Sequence, residues 1–220
     1  MNGAQGAQEE IVKHVPRFSE QGWIGMKKNS DKTGEKLILA VSGATGAHAA
    51  QLLMERSPWP ITLVVSKWGR DVCARERVPV EALAERAAEV LDNDDLAAGI
   101  ASGSVPTAGM VVMPCSTDTM AKIAAGIADT LITRSAHCHL KEGRKLVLCV
   151  RESPWTLIDI RNAARAAEAG AVIMPLSPPF YMFADREPAE VTMTDLLGAY
   201  VDRVLAVLGK TPAKTWEPPE

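Results

Sequence analysis

The chain has little net charge and no long hydrophobic run. Its 220 residues carry 24 Lys and Arg against 27 Asp and Glu, a formal net charge of −3. A chain so close to neutral offers no basic surface for nucleic acid or for an anionic membrane. Its apolar stretches fall well short of the ~20 residues that span a bilayer, and its polar N-terminus lacks the apolar segment of a secretory signal. We therefore expect a cytoplasmic protein that binds neither nucleic acid nor membrane.

The sequence also lacks a disulfide framework and a zinc motif. The four cysteines, Cys73, Cys115, Cys138 and Cys149, are widely spaced, and three lie in or beside apolar segments. This spacing is typical of reduced, packed thiols in the cytoplasm. The stretch HCH at 137–139 could bind a metal from alternate positions of an extended segment, but no second Cys/His cluster lies at zinc-like spacing. We expect no metal site.

The composition is sufficient for one folded domain with two tails. A 220-residue chain with 47% hydrophobic residues can bury a full core. Residues 1–34 are polar without a sustained period, which predicts an N-terminal extension. Residues 210–220 contain three prolines and are predicted to be a C-terminal tail. The domain is expected at 35–209.

Within the domain, predicted strands alternate with predicted helices. Short apolar runs predict strands at 36–41, 61–66, 110–114, 145–150 and 171–174. Helical spacing of apolar residues predicts helices at 44–55, from about 68, and at 80–91, 117–126, 157–169 and 192–208. Because the strands are apolar throughout, we expect them to be buried on both faces of a parallel sheet. The sequence therefore predicts a three-layer α/β/α fold with a parallel sheet, Rossmann-like or flavodoxin-like.

The first predicted strand is followed by the glycine-rich turn SGATG at 42–46. Glycines allow a sharp turn that exposes backbone amides, and the start of the next helix attracts anions. The pattern is not GxGxxG, so a dinucleotide site is not predicted, whereas the phosphate of a mononucleotide is. A turn that serves only to pack helix against strand is the alternative.

Polar and charged residues follow the other strands as well. Ser66 and Lys67 follow the second strand, the hydroxyl-rich stretch at 114–119 follows the third, and the polar loop SGS at 102–104 precedes it. The cations and carboxylates near these loop positions are Lys67, Arg134, Lys141, Arg151, Glu76, Glu142 and Glu152. Ligands of open α/β folds bind at the carboxyl edge of the sheet, so these charges favour a small phosphate-bearing ligand, with carboxylates for proton transfer. A ring of solvated loop charges is the alternative.

Taken together, these motifs resemble those of the UbiX-type flavin prenyltransferases. The resemblance covers about residues 36–208 and is carried by VSGATG, VVSK, SGSVPTAGMVVMPCS, LITRSA, HLKEGRKLVLCVRESPW, AAEAGAVIMPLSPPFY and YVDRVL. It implies a flavodoxin-like fold and transfer of the prenyl group of dimethylallyl phosphate to N5 and C6 of reduced FMN, without a metal. The product, prenylated FMN, would serve a UbiD-type decarboxylase. The resemblance also implies a homo-oligomer, a dodecamer with sites shared between subunits.

The resemblance assigns roles to particular residues. FMN contacts are expected from Ser42, Gly43, Ala44, Ser66, Ser116, Thr119 and Arg134, and the prenyl site is expected to be lined by Glu76. The phosphate of the donor is expected to be held by Lys141, Arg151, Glu152, Tyr181 and Arg203, of which Arg203 lies beyond a linker longer than is usual. Ser42, Glu76, Lys141, Arg151 and Glu152 form the expected catalytic set. Trp68 and Trp155 are candidates to cover the flavin, although core or interface packing is the commoner role of tryptophan.

One segment departs from the family and leaves two alternatives open. Thr117 and Asp118 stand where the family usually has an apolar and often a basic residue. The surrounding PCSTDT also resembles the PASANT segment of cysteine-decarboxylating flavoproteins, although Cys115 and Asp118 replace its Ala and Asn. The enzyme alternative is therefore an FMN-dependent cysteine decarboxylase. The other alternative is a flavin-binding carrier subunit without turnover.

Overall fold

A computed structural model describes residues 35–211, so the predicted extension at 1–34 and the end of the tail, 212–220, lie outside the described residues. Its strands are β1 (Leu37–Val41), β2 (Ile61–Val65), β3 (Glu89–Leu91), β4 (Gly109–Cys115), β5 (Leu146–Val150) and β6 (Val172–Ile173). Its α-helices are α1 (Ala47–Arg56), α2 (Lys67–Arg75), α3 (Val80–Arg86), α4 (Thr117–Ala124), α5 (Leu131–Lys141), α6 (Leu157–Glu168) and α7 (Met193–Val207). Short 3₁₀ turns occur at Gly99–Ala101, Phe180–Phe183 and Pro188–Glu190.

The described strands form one parallel sheet in the order β3-β2-β1-β4-β5-β6. Strand β1 lies at the centre, since Leu37 is paired with Ile61 of β2 on one side and with Gly109 of β4 on the other. The chain direction across the sheet reverses between β1 and β4, and at such a switch point the following loops separate and leave a crevice. The predicted three-layer, flavodoxin-like fold is confirmed.

Both faces of the sheet carry a hydrophobic core. In β1, Leu37 and Leu39 face a core built with α1 and α7, whereas Ile38 and Ala40 face a core built with α4, α5 and α6. Every residue of β1, β2, β4 and β5 is buried, which explains why these strands lack the alternation of a half-exposed strand. Among residues 35–211, no helix is both long and apolar enough to cross a bilayer.

The predicted helix at 80–91 is wrong in its second half. Helix α3 ends at Arg86, and Glu89–Leu91 form β3, the edge strand beside β2. The Glu89 carboxylate accepts hydrogen bonds from Thr62 Oγ1 (3.1 Å) and Lys36 Nζ (3.0 Å). Pairing with β2 thus decides the conformation of these residues. The prediction failed because three residues at a sheet edge are too few to show a strand period within a helical pattern.

The sequence prediction also missed helix α5. Its start is fixed by a capping box in which Thr130 Oγ1 accepts from the Thr133 amide and Thr133 Oγ1 accepts from the Thr130 amide. Arg134 and Lys141 therefore lie on a helix rather than in loops. The stretch 137–139 is helical too, so the extended arrangement considered for a metal is wrong. No group of three potential metal ligands lies together in the described part of the chain.

The four cysteines are buried and free. Burial raises the pKa of the Cys73 thiol to about 11 and that of Cys149 to about 12, and it raises the pKa of Cys115 further. These values lie far above neutral pH, so the three thiols stay protonated. The expectation of packed, reduced thiols agrees with this arrangement.

Helix α5 carries a buried imidazole. His139 is 2% exposed, with Nδ1 2.8 Å from Ser135 O and Nε2 2.8 Å from Thr107 Oγ1. Since a carbonyl oxygen only accepts, Nδ1 carries the proton and Nε2 of the neutral ring accepts from the threonine hydroxyl. Burial lowers the pKa of His139, and the positive charge of Arg144 lowers it further.

His139 should make folding stability depend on pH. Its folded-state pKa lies below the unfolded value of 6.5, so the unfolded chain takes up the proton first. Stability is therefore present above pH 6.5 and is lost as the pH falls through the folded pKa. Each unit of pKa depression is worth about 1.4 kcal/mol. Urea unfolding between about pH 7 and about pH 5 should show a smaller loss of stability in His139→Gln than in the wild type. His48→Gln, at a half-buried histidine, serves as the control. If the unfolding free energy of His139→Gln falls with pH as steeply as that of the wild type, His139 is not the source of the pH dependence.

Candidate functional site

A cavity of about 320 Å³ opens at the carboxyl edge of the sheet, around the switch point between β1 and β4. Gly43, which follows β1, Ser66, which follows β2, and Ser116 and Thr119, which follow β4, line it. This volume is at the lower end of the range for small-molecule sites. Four of the seven residues predicted to contact FMN are thus brought together in one chain.

Ser42 joins the two strand ends beside this cavity. Its amide and its Oγ both donate to Pro114 O (3.1 and 3.0 Å), and Ser116 N donates to Ser42 Oγ (2.8 Å). With 1% exposure Ser42 lies beneath the cavity wall rather than in it, and Ala44 is buried as well. The position of Ser42 indicates that it holds the loops after β1 and β4 together.

Both serines that line the cavity cap helices. Ser66 Oγ accepts from Gly69 N (3.0 Å) at the start of α2. Ser116 Oγ accepts from Thr119 N (3.2 Å) at the start of α4 and donates to Thr119 Oγ1 (2.9 Å). The positive ends of two helices therefore point to one cavity, an arrangement that favours an anionic ligand group.

The aromatic wall of the cavity is Trp68. A Cβ on Gly43 would lie 2.7 Å from Trp68 Cβ, so only glycine allows the indole to approach the turn this closely. The Trp68 side chain nevertheless stays 66% exposed, and Lys67 Nζ lies 5.6 Å from its ring centroid. A large apolar ring left uncovered beside a cavity is suited to pack against a planar ligand.

Glu76 occupies the start of α1. Its two carboxylate oxygens accept from Gly46 N (2.9 and 3.0 Å) and one also accepts from Ala47 N (2.7 Å). The expectation that these amides are free for a phosphate is therefore wrong, because a carboxylate of the chain already binds them. Glu76 does not line the cavity, so its role at a prenyl group stays a prediction.

The residues predicted to hold the donor phosphate lie away from the cavity. Lys141 Nζ at the end of α5 donates to Glu142 Oε1 (2.7 Å), while Arg151 and Glu152 are exposed after β5. Tyr181 is 50% exposed in a 3₁₀ turn, and Arg203 is exposed on α7. Lys141, Arg151 and Arg203 belong to three different parts of the chain, namely α5, the loop after β5 and α7. The cavity is therefore lined by most of the predicted flavin set and by none of the predicted phosphate set.

Arg134 belongs to neither group. Its Nε donates to Ala101 O (2.9 Å), so the half-buried side chain ties α5 to the loop before β4. It does not line the cavity in a single chain. The predicted contact of Arg134 with flavin stays a prediction.

Several cavity residues were missed from the sequence. Asn93 and Asp94 follow β3, the strand that the predicted helix at 80–91 concealed, whereas Thr130 and Thr133 belong to the unrecognised capping box of α5. The Thr-x-x-Thr spacing was the one signal available for this second pair.

Lys122 is a further cavity residue that was missed. Its Nζ lies 3.1 Å from Asp129 and 3.8 Å from Asp118, and the hydrogen bond to Asp129 raises the pKa of Lys122. The unusual Asp118 thus has a cation one helical turn away, a pairing visible in the sequence as an i, i+4 spacing. The cavity wall keeps an ammonium group despite the acidic residue in this segment.

Comparison with known proteins gives one consistent family. Residues 26–205 match the model of the Flavoprotein family. Flavin prenyltransferase UbiX of Salmonella typhimurium is 41% identical over 179 residues, which cover 78% of this chain and 90% of that protein.

Two solved structures are similar over most of the chain. The crystal structure of AnUbiX in complex with FMN and dimethylallyl pyrophosphate has a TM-score of 0.78 and 35% identity, covering 84% of this chain and 99% of that one. A dodecameric FMN-dependent UbiX-like decarboxylase from Escherichia coli O157:H7 has a TM-score of 0.75 and 37% identity, covering 84% and 100%.

Removing the Glu76 carboxylate should destabilise the fold. Glu76→Ala leaves the amides of Gly46 and Ala47 without their acceptor, and the expected loss of unfolding free energy is about 1–3 kcal/mol. Glu76→Gln, which keeps one acceptor oxygen, should lose less. Urea denaturation measures both, with the exposed Glu85→Ala on α3 as a control expected to change stability by under about 0.5 kcal/mol. A Glu76→Ala protein as stable as the control would contradict the capping role.

Proposed function

Since the chain belongs to the Flavoprotein family and, within it, to the UbiX-type flavin prenyltransferases, we propose that it prenylates reduced FMN. The dimethylallyl group of dimethylallyl phosphate is transferred to N5 and C6 of the flavin, and prenylated FMN is the product. The observation that carries the proposal is the cavity at the switch point, whose walls include the starts of α2, α4 and α5 and an uncovered indole. We further propose that the product serves a UbiD-type decarboxylase.

The cavity residues fit FMN chemically. The capping hydroxyls of Ser66 and Ser116 and the ammonium of Lys122 offer polar partners for the phosphate and the ribityl chain, and Trp68 offers a face for the ring. Reduced FMN supplies the nucleophilic nitrogen and carbon to which the prenyl group is joined. The protein's part here is to bind and orient the flavin and to exclude water, with Ser42 keeping the two loops in register.

The phosphate set would stabilise the leaving group. As the allylic C–O bond breaks, negative charge develops on the phosphate, and Lys141, Arg151 and Arg203 stabilise that charge where it forms. Arg151 can bind two oxygens at once, which a lysine cannot. Glu152, which follows Arg151 directly in the chain, is the proposed acid that donates a proton to the leaving phosphate. Tyr181 donates a hydrogen bond to a phosphate oxygen.

These phosphate-binding residues lie on different elements of the chain and do not line the cavity, and we propose that subunit contacts complete their site. Tyr181 and Arg203 are exposed, as are Leu157 and Ile158 on α6, at 60% and 69%. Apolar side chains uncovered to this extent are typical of surfaces that another protein covers. A relative with 37% identity is dodecameric, which supports a homo-oligomer here and a dodecamer as its size.

The activity assay tests the proposal directly. After anaerobic incubation with reduced FMN and dimethylallyl phosphate, mass spectrometry should find a flavin heavier by one C₅H₈ unit. The diphosphate is tested in parallel, and we expect the monophosphate to be the better donor. If FMN binds but its mass does not change, the carrier alternative is favoured. Release of CO₂ from a peptide with a C-terminal cysteine would favour the decarboxylase alternative instead.

Glu152→Gln should separate binding from chemistry. The variant keeps its shape but loses the acid, so FMN affinity should be unchanged while turnover falls about 10²-fold or more. Glu168→Gln on α6, also exposed, is the matched control and should keep wild-type turnover. Unaltered turnover of Glu152→Gln would remove Glu152 from the mechanism.

Mixed oligomers test whether the phosphate site is shared between subunits. Lys141→Met and Arg203→Met should each be inactive alone. If the two residues of one site come from different chains, co-refolding the two variants regenerates intact sites and restores about a quarter of the wild-type activity in a random mixture, by the symmetry of repeated interfaces. Each variant refolded alone by the same procedure is the control. Activity that stays absent in the mixture would place both residues on one chain.

A further inference from the structure

The loop between the 3₁₀ turn Gly99–Ala101 and β4 is fastened to α5 at both ends. At its start, Arg134 Nε and Cys138 Sγ both donate to Ala101 O, at 2.9 and 3.2 Å. At its end, Thr107 Oγ1 is 2.8 Å from Nε2 of the buried His139. The short sequence SGS at 102–104 lies between these two attachments.

Arg144 holds the middle of this loop. Its two terminal nitrogens donate to Gly103 O and Val105 O, both at 2.6 Å. Arg144 N itself donates to His139 O (2.9 Å), which fixes the arginine at the end of α5. A guanidinium presents its donors in a rigid fork, so it can bind two carbonyls two residues apart, whereas one ammonium is a single point of attachment.

Gly103 links this loop to a residue of the proposed phosphate set. A Cβ on Gly103 would lie 2.7 Å from Lys141 Nζ and still closer to Glu142 Oε1. The Lys141–Glu142 ion pair therefore rests directly on the loop backbone at a glycine. Beside it, Ser102 Oγ and Ser104 Oγ are 2.8 Å apart. The position of the Lys141 ammonium thus depends on the position of the loop.

We propose that Arg144 is a positioning residue for the prenyl donor. By holding Gly103 and Val105 it keeps the loop against α5, and the loop in turn places the Lys141 ammonium for the donor phosphate. This inference rests on the proposed function, in which Lys141 binds that phosphate. Both terminal nitrogens of Arg144 are already bound to carbonyls, so Arg144 acts through the loop and not by touching the substrate.

The energetic reason is the cost of ordering a loop of small residues. Glycine and serine give the unfastened segment many backbone conformations, and each residue that is fixed on binding costs conformational free energy. Fastening the loop in the free protein removes that cost from the binding step. Arg144 would therefore act on donor affinity and leave the flavin cavity, which the Arg144 side chain does not line, unchanged.

Arg144→Met and Arg144→Lys are the decisive variants. Losing both charge-assisted hydrogen bonds should raise the KM for dimethylallyl phosphate and its Kd on the FMN-loaded protein about tenfold or more, with FMN affinity unchanged. Arg144→Lys, which keeps one donor group, should recover part of that loss. Hydrogen–deuterium exchange of residues 102–106 should be faster in Arg144→Met. Arg75→Met, which removes an exposed arginine paired with Asp71, is the control for all four measurements.

Gly103→Ala separates the loop from the ion pair. The added methyl should displace Lys141 Nζ while leaving the carbonyls of Gly103 and Val105 bound to Arg144. We therefore expect weaker donor binding with unchanged exchange of the loop. This variant also keeps the inference testable if Arg144→Met does not fold.

The outcomes distinguish this inference from the proposed function. Wild-type donor affinity and wild-type loop exchange in Arg144→Met would overturn the positioning role. Faster exchange with wild-type donor affinity would also overturn it, because the loop would then not place Lys141. If the wild type binds dimethylallyl phosphate without forming prenylated FMN, the proposed function fails alone. In that case weaker donor binding by Arg144→Met still supports the positioning role.

Discussion

The hydrogen bonds of Ser42 hold the structure together at the point on which the candidate site depends. Strands β1 and β4 are neighbours in the sheet, but the chain leaves them toward opposite faces, α1 on one side and α4 on the other. Ser42 binds Pro114 and Ser116 across this divergence with its amide and its hydroxyl. The cavity forms where the loops after β1 and β4 separate, just beyond Ser42. The hydrogen bonds of Ser42 keep the starts of these two loops in place and so maintain the shape of the cavity. A buried hydroxyl that both donates and accepts is well suited to this task, since no lone group is left unpaired.

The fold could be predicted from the sequence wherever burial alone decides the conformation. The strands β1, β2, β4 and β5 are buried on both faces and are therefore apolar at almost every position, Thr62 of β2 being the polar exception, whereas a surface helix carries a polar face. The two failures have a different origin. Edge strand β3 owes its conformation to partners elsewhere in the chain, such as Thr62, and α5 is recognisable mainly from its Thr130–Thr133 cap. Neither pairing across a sheet nor a cap built of two threonines leaves a strong periodic signal.

The candidate site divides in the same way. Ser66 and Ser116 could be placed at the cavity because they follow buried strands and precede helices, a local relation that the sequence preserves. The attachment of Glu76 to the start of α1 could not be predicted, since Glu76 and Gly46 are 30 positions apart and only the folded chain brings them together. Lys141, Arg151 and Arg203, which lie on α5, after β5 and on α7, are a third case. Under the proposal that subunits share the phosphate site, their meeting depends on quaternary structure, about which a single sequence holds information only through its relatives.

The burial of the thiols has a consequence for a protein that handles reduced flavin. Free reduced flavins react with dioxygen and release peroxide, which oxidises cysteine through its thiolate form. Cys73, Cys115 and Cys149 lie in the core with their pKa values raised by burial, so almost no thiolate is present at neutral pH. Three of the four cysteines, the residue type that peroxide ordinarily attacks first, are thereby kept unreactive. The packing of the core thus protects these thiols from peroxide that forms when the protein's own reduced flavin reacts with dioxygen.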